Sequence, residues 1–324
     1  MKRVVLLYSL FSLFSYFCFA EIPVHTYSCV GRDPDTGEMG VAVQSHYFTV
    51  GPVVPWAEAG VGVVATQSLV DVSYGPLGLQ LMKEGKTAQE ALQALLSVDK
   101  GKEGRQVAMI DVKGNVAVHT GPKSIAAAGH QSGANYSCQA NLMANEKVWP
   151  AMAKAFENTK GELADRLLAA MDAAQEVGGD IRGQQSAAIV VVAGKKTGNF
   201  FTDRLVDLRV DDNTKPLQEM RRLLNIHKAY RHLSKADEFI EKKDVASAKK
   251  EYDAAIALYP ENLELPFWYA LGIYKAGNQQ EALEIFRNIF AKEPAWYEVI
   301  DRLPASDLLP AADVPKIKAA GPAK

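Results

Sequence analysis

The chain has 324 residues, 48% of them hydrophobic, with a formal net charge of −2 and three cysteines. That length and apolar content suit two domains with real cores, and a near-neutral balance without a basic block excludes nucleic acid as a partner. Lys2 and Arg3 precede an apolar stretch from Val4 to Phe19, and Cys18-Phe19-Ala20 is a small-x-small ending, so residues 1–20 read as a secretory signal peptide cut after Ala20. The mature chain would begin at Glu21, in a periplasmic or secreted, extracytoplasmic location. No later run approaches the roughly 20 apolar residues that a membrane span needs. Cys29 and Cys138 remain, in a compartment that permits disulfides; they are either a bridge or two small buried thiols inside strands.

Residues 26–31 and 40–46 are short strands joined by Asp33-Pro34-Asp35-Thr36-Gly37, a run of turn formers, which predicts a hairpin. Residues 59–68, AGVGVVATQS, form another buried strand. In YGPLGLQLMKEG, Pro76 can start a helix and Gly85 can end it. Thr87-Ala88-Gln89-Glu90 is a capping box that opens a second helix, with Ala91, Leu92, Leu95 and Leu96 on one face. An apolar hairpin follows, RQVAMIDVKGNVAVHTG, turning at Lys113-Gly114-Asn115, and then a strand over 135–143. Two helices, NEKVWPAMAKAFENT with Pro150 near its start and GELADRLLAAMDAAQEVGG, precede the strands SAAIVVVAG and RLVDLRVDD. Strands and helices grouped in blocks predict the α+β class, as a layered αββα sandwich, rather than a doubly wound parallel sheet.

Beyond Pro216 the pattern is purely helical. Ala236, Phe239, Ala248, Tyr252 and Pro260 recur 34 residues later as Ala270, Ile273, Ala282, Phe286 and Pro294, the period and residue classes of a tetratricopeptide repeat. Small residues at a tight helix crossing, bulky ones beside them and a terminating proline are what a stacked helix pair requires. The predicted division is a sandwich domain over 21–215, a tetratricopeptide-like helical domain over 216–309 and a flexible tail over 310–324, rich in Ala, Pro and Lys.

TYSCVGRDPDTGEMGVAVQSHYFTVGPVVPWAEAGVGVVATQS, YGPLGLQLMKEG, AVHTG, GGDIRGQQSAAIVVV and DRLVDLRVDD together resemble a bacterial family, domain-of-unknown-function family 1028, which is grouped with the Ntn (N-terminal nucleophile) hydrolases. The resemblance runs from about residue 25 to 228 and implies a four-layer αββα sandwich; it carries no settled substrate. It also implies a mechanism in which a Thr, Ser or Cys at a freshly exposed N-terminus is activated by its own α-amine, whose pKa lies near 8. Thr26, at the head of the first strand, occupies the matching position, so Glu21 to His25 would have to be removed to expose it. Where proteasome-like relatives keep an Asp and a Lys, this chain has Gln44-Ser45 and Pro55-Trp56.

The candidate catalytic residues are therefore Thr26 as nucleophile, His46 as base or orienting group and Asn141 as oxyanion donor; Gln139-Ala140-Asn141 resembles a Gln-Gly-Asn segment of the family. Gln44, Ser45, Ser68 and His119 are the candidate substrate contacts. His119, His130 and Asp111 lack tight ligand spacing, so no metal and no cofactor are expected. The expected function is an exported Ntn-type amidohydrolase acting on a peptide, acyl-amine or cell-wall fragment. The competing expectation is a non-catalytic envelope protein that binds a protein or peptide partner through residues 230–300, with self-association into a homo-oligomer open to either.

Overall fold

Alternating small and β-branched residues build the first sheets of the computed structural model, which describes residues 23–321. The expected signal peptide and its cut after Ala20 lie outside the described residues. Pro23–Val24 (β1) leads, after one residue, into Thr26–Arg32 (β2) and Met39–Ser45 (β3), the expected hairpin, whose turn residue Gly37 has φ 76°. Pro55–Glu58 (β4) and Gly62–Leu69 (β5) follow, then the helices Tyr74–Lys83 (α1) and Ala88–Val98 (α2). At the head of α2 the Thr87 side chain accepts from the Glu90 N–H while the Glu90 carboxylate accepts from the Thr87 N–H, the capping box read from the sequence.

Arg105–Asp111 (β6), Val116–Thr120 (β7), Gly129–Gly133 (β8) and Tyr136–Ala140 (β9) complete the middle of the chain. The expected strands include none of β1, β4 and β8. GHQSG is polar and glycine-rich with no period-2 pattern, and it becomes a strand only by pairing with β9. Val148–Asn158 (α3), with Pro150 in its first turn where no intrahelical N–H donation is lost, and Leu163–Glu176 (α4) precede Ser186–Val192 (β10), the short Phe200–Asp203 (α5) and Arg204–Val210 (β11).

The described strands form two antiparallel sheets. In the first, β5 pairs with β6 on one side, and β6 with β7; on its other side β5 carries β1 and β4 end to end. The second has the order β11-β10-β3-β2-β9-β8. Val30, Val41, Val43 and Val190 of the second sheet meet Val63, Ala65, Ala108 and Ile110 of the first in one apolar cluster. On alternate positions, Tyr27, Cys29, Cys138 and Ile189 pack with Met152, Phe156, Leu167 and Met171 of α3 and α4. Val64, Val107 and Met109 pack with Tyr74, Leu79, Leu92 and Leu96 of α1 and α2.

Helix α1 approaches the first sheet through a glycine. A Cβ added at Gly75 would lie 2.3 Å from the Trp56 ring, and that ring is held by its indole N–H donating to the Val53 carbonyl at 3.0 Å. Gly75→Ala should therefore destabilise the fold by about 1–3 kcal/mol through overpacking, read as a lower urea midpoint at unchanged m-value.

Pro216–Glu241 (α6) starts the helical C-terminal region, with Pro216 in its first turn. Leu217, Met220 and Leu224 of α6 belong to the α3–α4 cluster, while Ala229 and Leu233 pack with Ala255 and Leu265. This helix begins at the expected boundary of 215/216, and its first half packs on α3 and α4 while its second half packs on the helices that follow. Val245–Leu258 (α7), Glu264–Lys275 (α8), Gln279–Lys292 (α9) and Ala295–Val299 (α10) follow. Ala236, Ala248, Ala270 and Ala282 are all fully buried, and Tyr252 stacks on Tyr269 at 3.9 Å between ring centroids. The segment expected to be a flexible tail is instead partly helical: Val314–Lys318 (α11) buries Ile317 in the same cluster as Phe286 and Phe290, with Val314 packed beside it. No helix among the described residues is long and apolar enough to cross a membrane.

Candidate active site

The two sheets are connected at their N-terminal end by a single residue. Val24 is paired with Ser68 on β5 of the first sheet, Thr26 is paired with Ser45 on β3 of the second, and His25 crosses between them. Thr26 is consequently enclosed, with no exposed surface.

The carbonyl of His25 receives two donors: Ser45 Oγ at 2.6 Å and Arg182 Nη2 at 2.7 Å. Thr26 Oγ1 lies beside them, 3.0 Å from Ser45 Oγ and 3.1 Å from the Val24 carbonyl. Arg182 is aimed by a two-point ion pair with Asp180, Nε to Oδ1 at 3.0 Å and Nη2 to Oδ2 at 2.7 Å, and the Asp180 side chain is fully buried. Asp180 also accepts from the backbone N–H groups of Arg182 at 2.9 Å and His46 at 3.3 Å. An amide carbonyl, a hydroxyl and a guanidinium are thus set together, and the two donors can stabilise negative charge on the carbonyl oxygen.

Behind this cluster runs a buried chain of carboxamides. Asn141 Nδ2 donates to Gln106 Oε1 at 2.9 Å, Gln67 Nε2 donates to the same oxygen at 2.7 Å and to the Thr26 carbonyl at 3.1 Å, and Gln106 Nε2 donates to the Ala140 carbonyl at 2.9 Å. Ser28 Oγ donates to Gln67 Oε1 and accepts from Gln139 Nε2, both at 2.6 Å. Ser28, Gln67, Gln106, Gln139 and Asn141 have no exposed surface. Such a network is costly unless satisfied, and once satisfied it holds one geometry.

With the Asn141 amide N–H groups committed, its Oδ1 is the acceptor for His25 Nδ1 at 2.9 Å, which assigns the proton to Nδ1. Burial lowers the His25 pKa below its usual 6.5, the Asn141 bond opposes that shift, and the Arg182 charge adds to it. A depressed pKa means that the unfolded chain binds more protons than the folded one, so stability present above pH 6.5 is lost as pH falls through the folded value. In a Thr26→Ala chain, thermal melts should show Tm falling below pH 6.5. His25→Gln in that background should flatten the fall, and an identical pH slope in both would contradict the assignment.

The structure joins Thr26, Ser45 and Asn141 in one hydrogen-bonded cluster, which the side chains of Gln44, His46, Ser68 and His119 do not enter. Gln44 stands opposite Tyr27 and Ala187, on the face of the second sheet that packs on α3 and α4, because one residue's step along a strand reverses the face. Its Oε1 and Nε2 have no partner among the described residues. His46 is exposed past the end of β3, its ring beside Gly183, and among the described residues no hydrogen bond joins that ring to Thr26. Ser68 sits opposite Val24 with φ 74°, a left-handed strand residue, and its buried Oγ is without a partner among the described residues. His119 is opposite Val107, on the α1–α2 side, and its Nε2 is 2.7 Å from the Lys102 carbonyl.

His25, Arg182, Asp180, Gln67 and Gln106 carry roles that the sequence reading did not assign. The glutamines left a signal: Gln67 and Gln106 occupy inward positions in line with Ala65 and Ala108, where alternation calls for an apolar side chain. Arg182 left none, since it lies in a turn 157 residues from the carbonyl it holds. Among the described residues no group of three or more His, Cys, Asp or Glu could hold a metal ion.

Comparison with solved structures finds the crystal structure of protein SPO2555 from Silicibacter pomeroyi, described with the family model DUF1028, at 29% identity, with a TM-score of 0.56 over 62% of this chain and 84% of that one. No functionally curated protein matches. The family model "Family of unknown function (DUF1028)" matches residues 26–220, beginning at Thr26 itself. The chain belongs to the DUF1028 family.

Proposed function

We propose that this protein is an exported Ntn-type amidohydrolase, an αββα sandwich of four layers followed by tetratricopeptide-like repeats, which releases Thr26 as its N-terminal nucleophile and then cleaves an amide bond. The observation that carries this reading is the His25 carbonyl, held by Ser45 Oγ at 2.6 Å and Arg182 Nη2 at 2.7 Å next to the Thr26 hydroxyl. Two side-chain donors on one main-chain carbonyl, with a hydroxyl next to it, suit attack on that carbonyl.

In release, Thr26 Oγ1 adds to the His25 carbonyl carbon, and its proton passes toward Ser45, the nearest hydroxyl at 3.0 Å. The developing oxyanion is stabilised by Ser45 and Arg182. The His25–Thr26 C–N bond breaks, the nitrogen takes up a proton to become the free amine, and water hydrolyses the resulting ester to leave a His25 carboxylate. In turnover, the α-amine of Thr26 is the base that the intact chain lacks, since there its nitrogen is an amide. A substrate amide carbonyl takes the place vacated by His25, with the same two donors on its oxygen. Asn141 and the glutamines keep the nucleophile strand in place rather than touch the carbonyl.

Intact mass and N-terminal sequencing of the protein from its producing cells test the reading. A start at Thr26 supports it, and a stable start at Glu21 removes Thr26 from the mechanism. In that second case the non-catalytic reading leads, with a protein or peptide bound by the helical region. A cavity of about 420 Å³ lined by Ile240, Glu241, Lys243, Gly272, Lys275 and Ala276 favours it there.

A further inference from the structure

Cys29 on β2 stands directly opposite Cys138 on β9. The ladder bonds from Asn141 N to the Thr26 carbonyl at 3.1 Å and from Arg32 N to the Asn135 carbonyl at 2.8 Å mark the 26/141 and 32/135 pairs as hydrogen-bonded. Pairs alternate along an antiparallel ladder, so 29/138, three steps from each, is a non-hydrogen-bonded pair. In such pairs the Cα atoms lie about 4.5 Å apart and the side chains are closest, inside the roughly 4.4–6.8 Å range a disulfide spans. The two thiols are unbonded, with Sγ atoms 3.2 Å apart, and closing to about 2.05 Å needs only small side-chain rotations.

We propose that Cys29 and Cys138 form a cross-strand disulfide, closed during folding by exchange with a disulfide-bearing oxidant. One cysteine thiolate attacks a sulfur of the oxidant and expels its first thiolate; the second cysteine thiolate then attacks the mixed disulfide and expels the other. The two cysteines lose two electrons and two protons, and the oxidant ends as two thiols. Closure belongs to folding because both residues are fully buried once the strands have paired. Burial and the neighbouring thiol also push the Cys138 thiol well above its usual value, which suppresses the reactive thiolate in the finished fold. The same burial shields the closed bond from reductants.

The bond ties the strand of Thr26 and Ser28 to the strand of Gln139 and Asn141. It fastens the register on which the Gln139 Nε2 to Ser28 Oγ bond of 2.6 Å depends. The ring it closes is long, which in the chain-entropy account gives a large stabilisation. This inference is independent of whether Thr26 is a nucleophile.

The test is refolding of the protein as purified from its producing cells. After reduction in denaturant, it is refolded with glutathione and glutathione disulfide, then denatured and alkylated without reductant. The expected product is two hydrogens lighter, has no alkylated Cys29 or Cys138, and yields a linked peptide containing both residues. Its Tm should exceed that of the chain refolded under reductant by roughly 10 °C. Cys138→Ala should abolish the redox-dependent Tm difference. Two free or separately glutathionylated cysteines after refolding, or equal Tm in both redox states, would overturn the proposal.

Discussion

Thr26→Ala should hold the chain in its unreleased form, retaining residues up to His25, with amide hydrolysis at least about 10³-fold below that of the released protein. The substitution deletes the hydroxyl that lies beside a carbonyl already held by Ser45 and Arg182. Its structural cost is small. The hydroxyl it removes is shared between Ser45 Oγ and the Val24 carbonyl and contributes about 1 kcal/mol. A folded, inactive and uncut variant is therefore the expected outcome, read by intact mass beside far-UV circular dichroism. Thr26→Ser, which restores a hydroxyl at the same position, should be released. If Thr26→Ala loses its N-terminal segment at the wild-type rate, another protease makes the cut and the self-release step is wrong.

Arg182→Met should slow release by roughly 10²–10³-fold, the range for loss of one oxyanion donor. It has a second consequence that must be separated from the first. Asp180 is fully buried, and without the guanidinium its carboxylate keeps only the backbone N–H groups of residues 46 and 182. Breaking a buried pair from one side costs on the order of 3–5 kcal/mol. The double variant Asp180→Asn/Arg182→Met removes the stranded charge and should recover most of the lost stability while release stays slow. Time courses of intact mass, paired with urea midpoints, distinguish the two effects. Recovery of the release rate together with stability would show that Arg182 only supports the fold.

Much of the local architecture was legible in the residues. Thr87 and Glu90 cap α2 as their spacing requires, Gly37 and Gly114 turn their hairpins with φ of 76° and 87°, and Ala236, Ala248, Ala270 and Ala282 mark buried helix crossings. These features depend on neighbours a few residues apart, so composition and period carry them. Membership of the DUF1028 family rests on motifs spread over residues 26–220, also written in the chain.

The site was legible only in part, and its misses share a cause. A hydroxyl at a strand head announces Thr26, and Ser45 and Asn141 follow from their strands. Gln44 and His46 flank Ser45 in sequence, yet pleating turns Gln44 to the helix side and the end of β3 leaves His46 exposed. The sequence by itself determined most of the strands, the capping box and the hairpin turns, because those are set by short-range sterics and hydrogen bonding. The tertiary structure alone decided that His25 bridges two sheets, that Arg182 reaches its carbonyl from 157 residues away and that Gln106 meets Asn141 across the sheet interface. Those contacts depend on register and on how two sheets stack, quantities determined by the burial of whole faces rather than by any residue's neighbours in the chain.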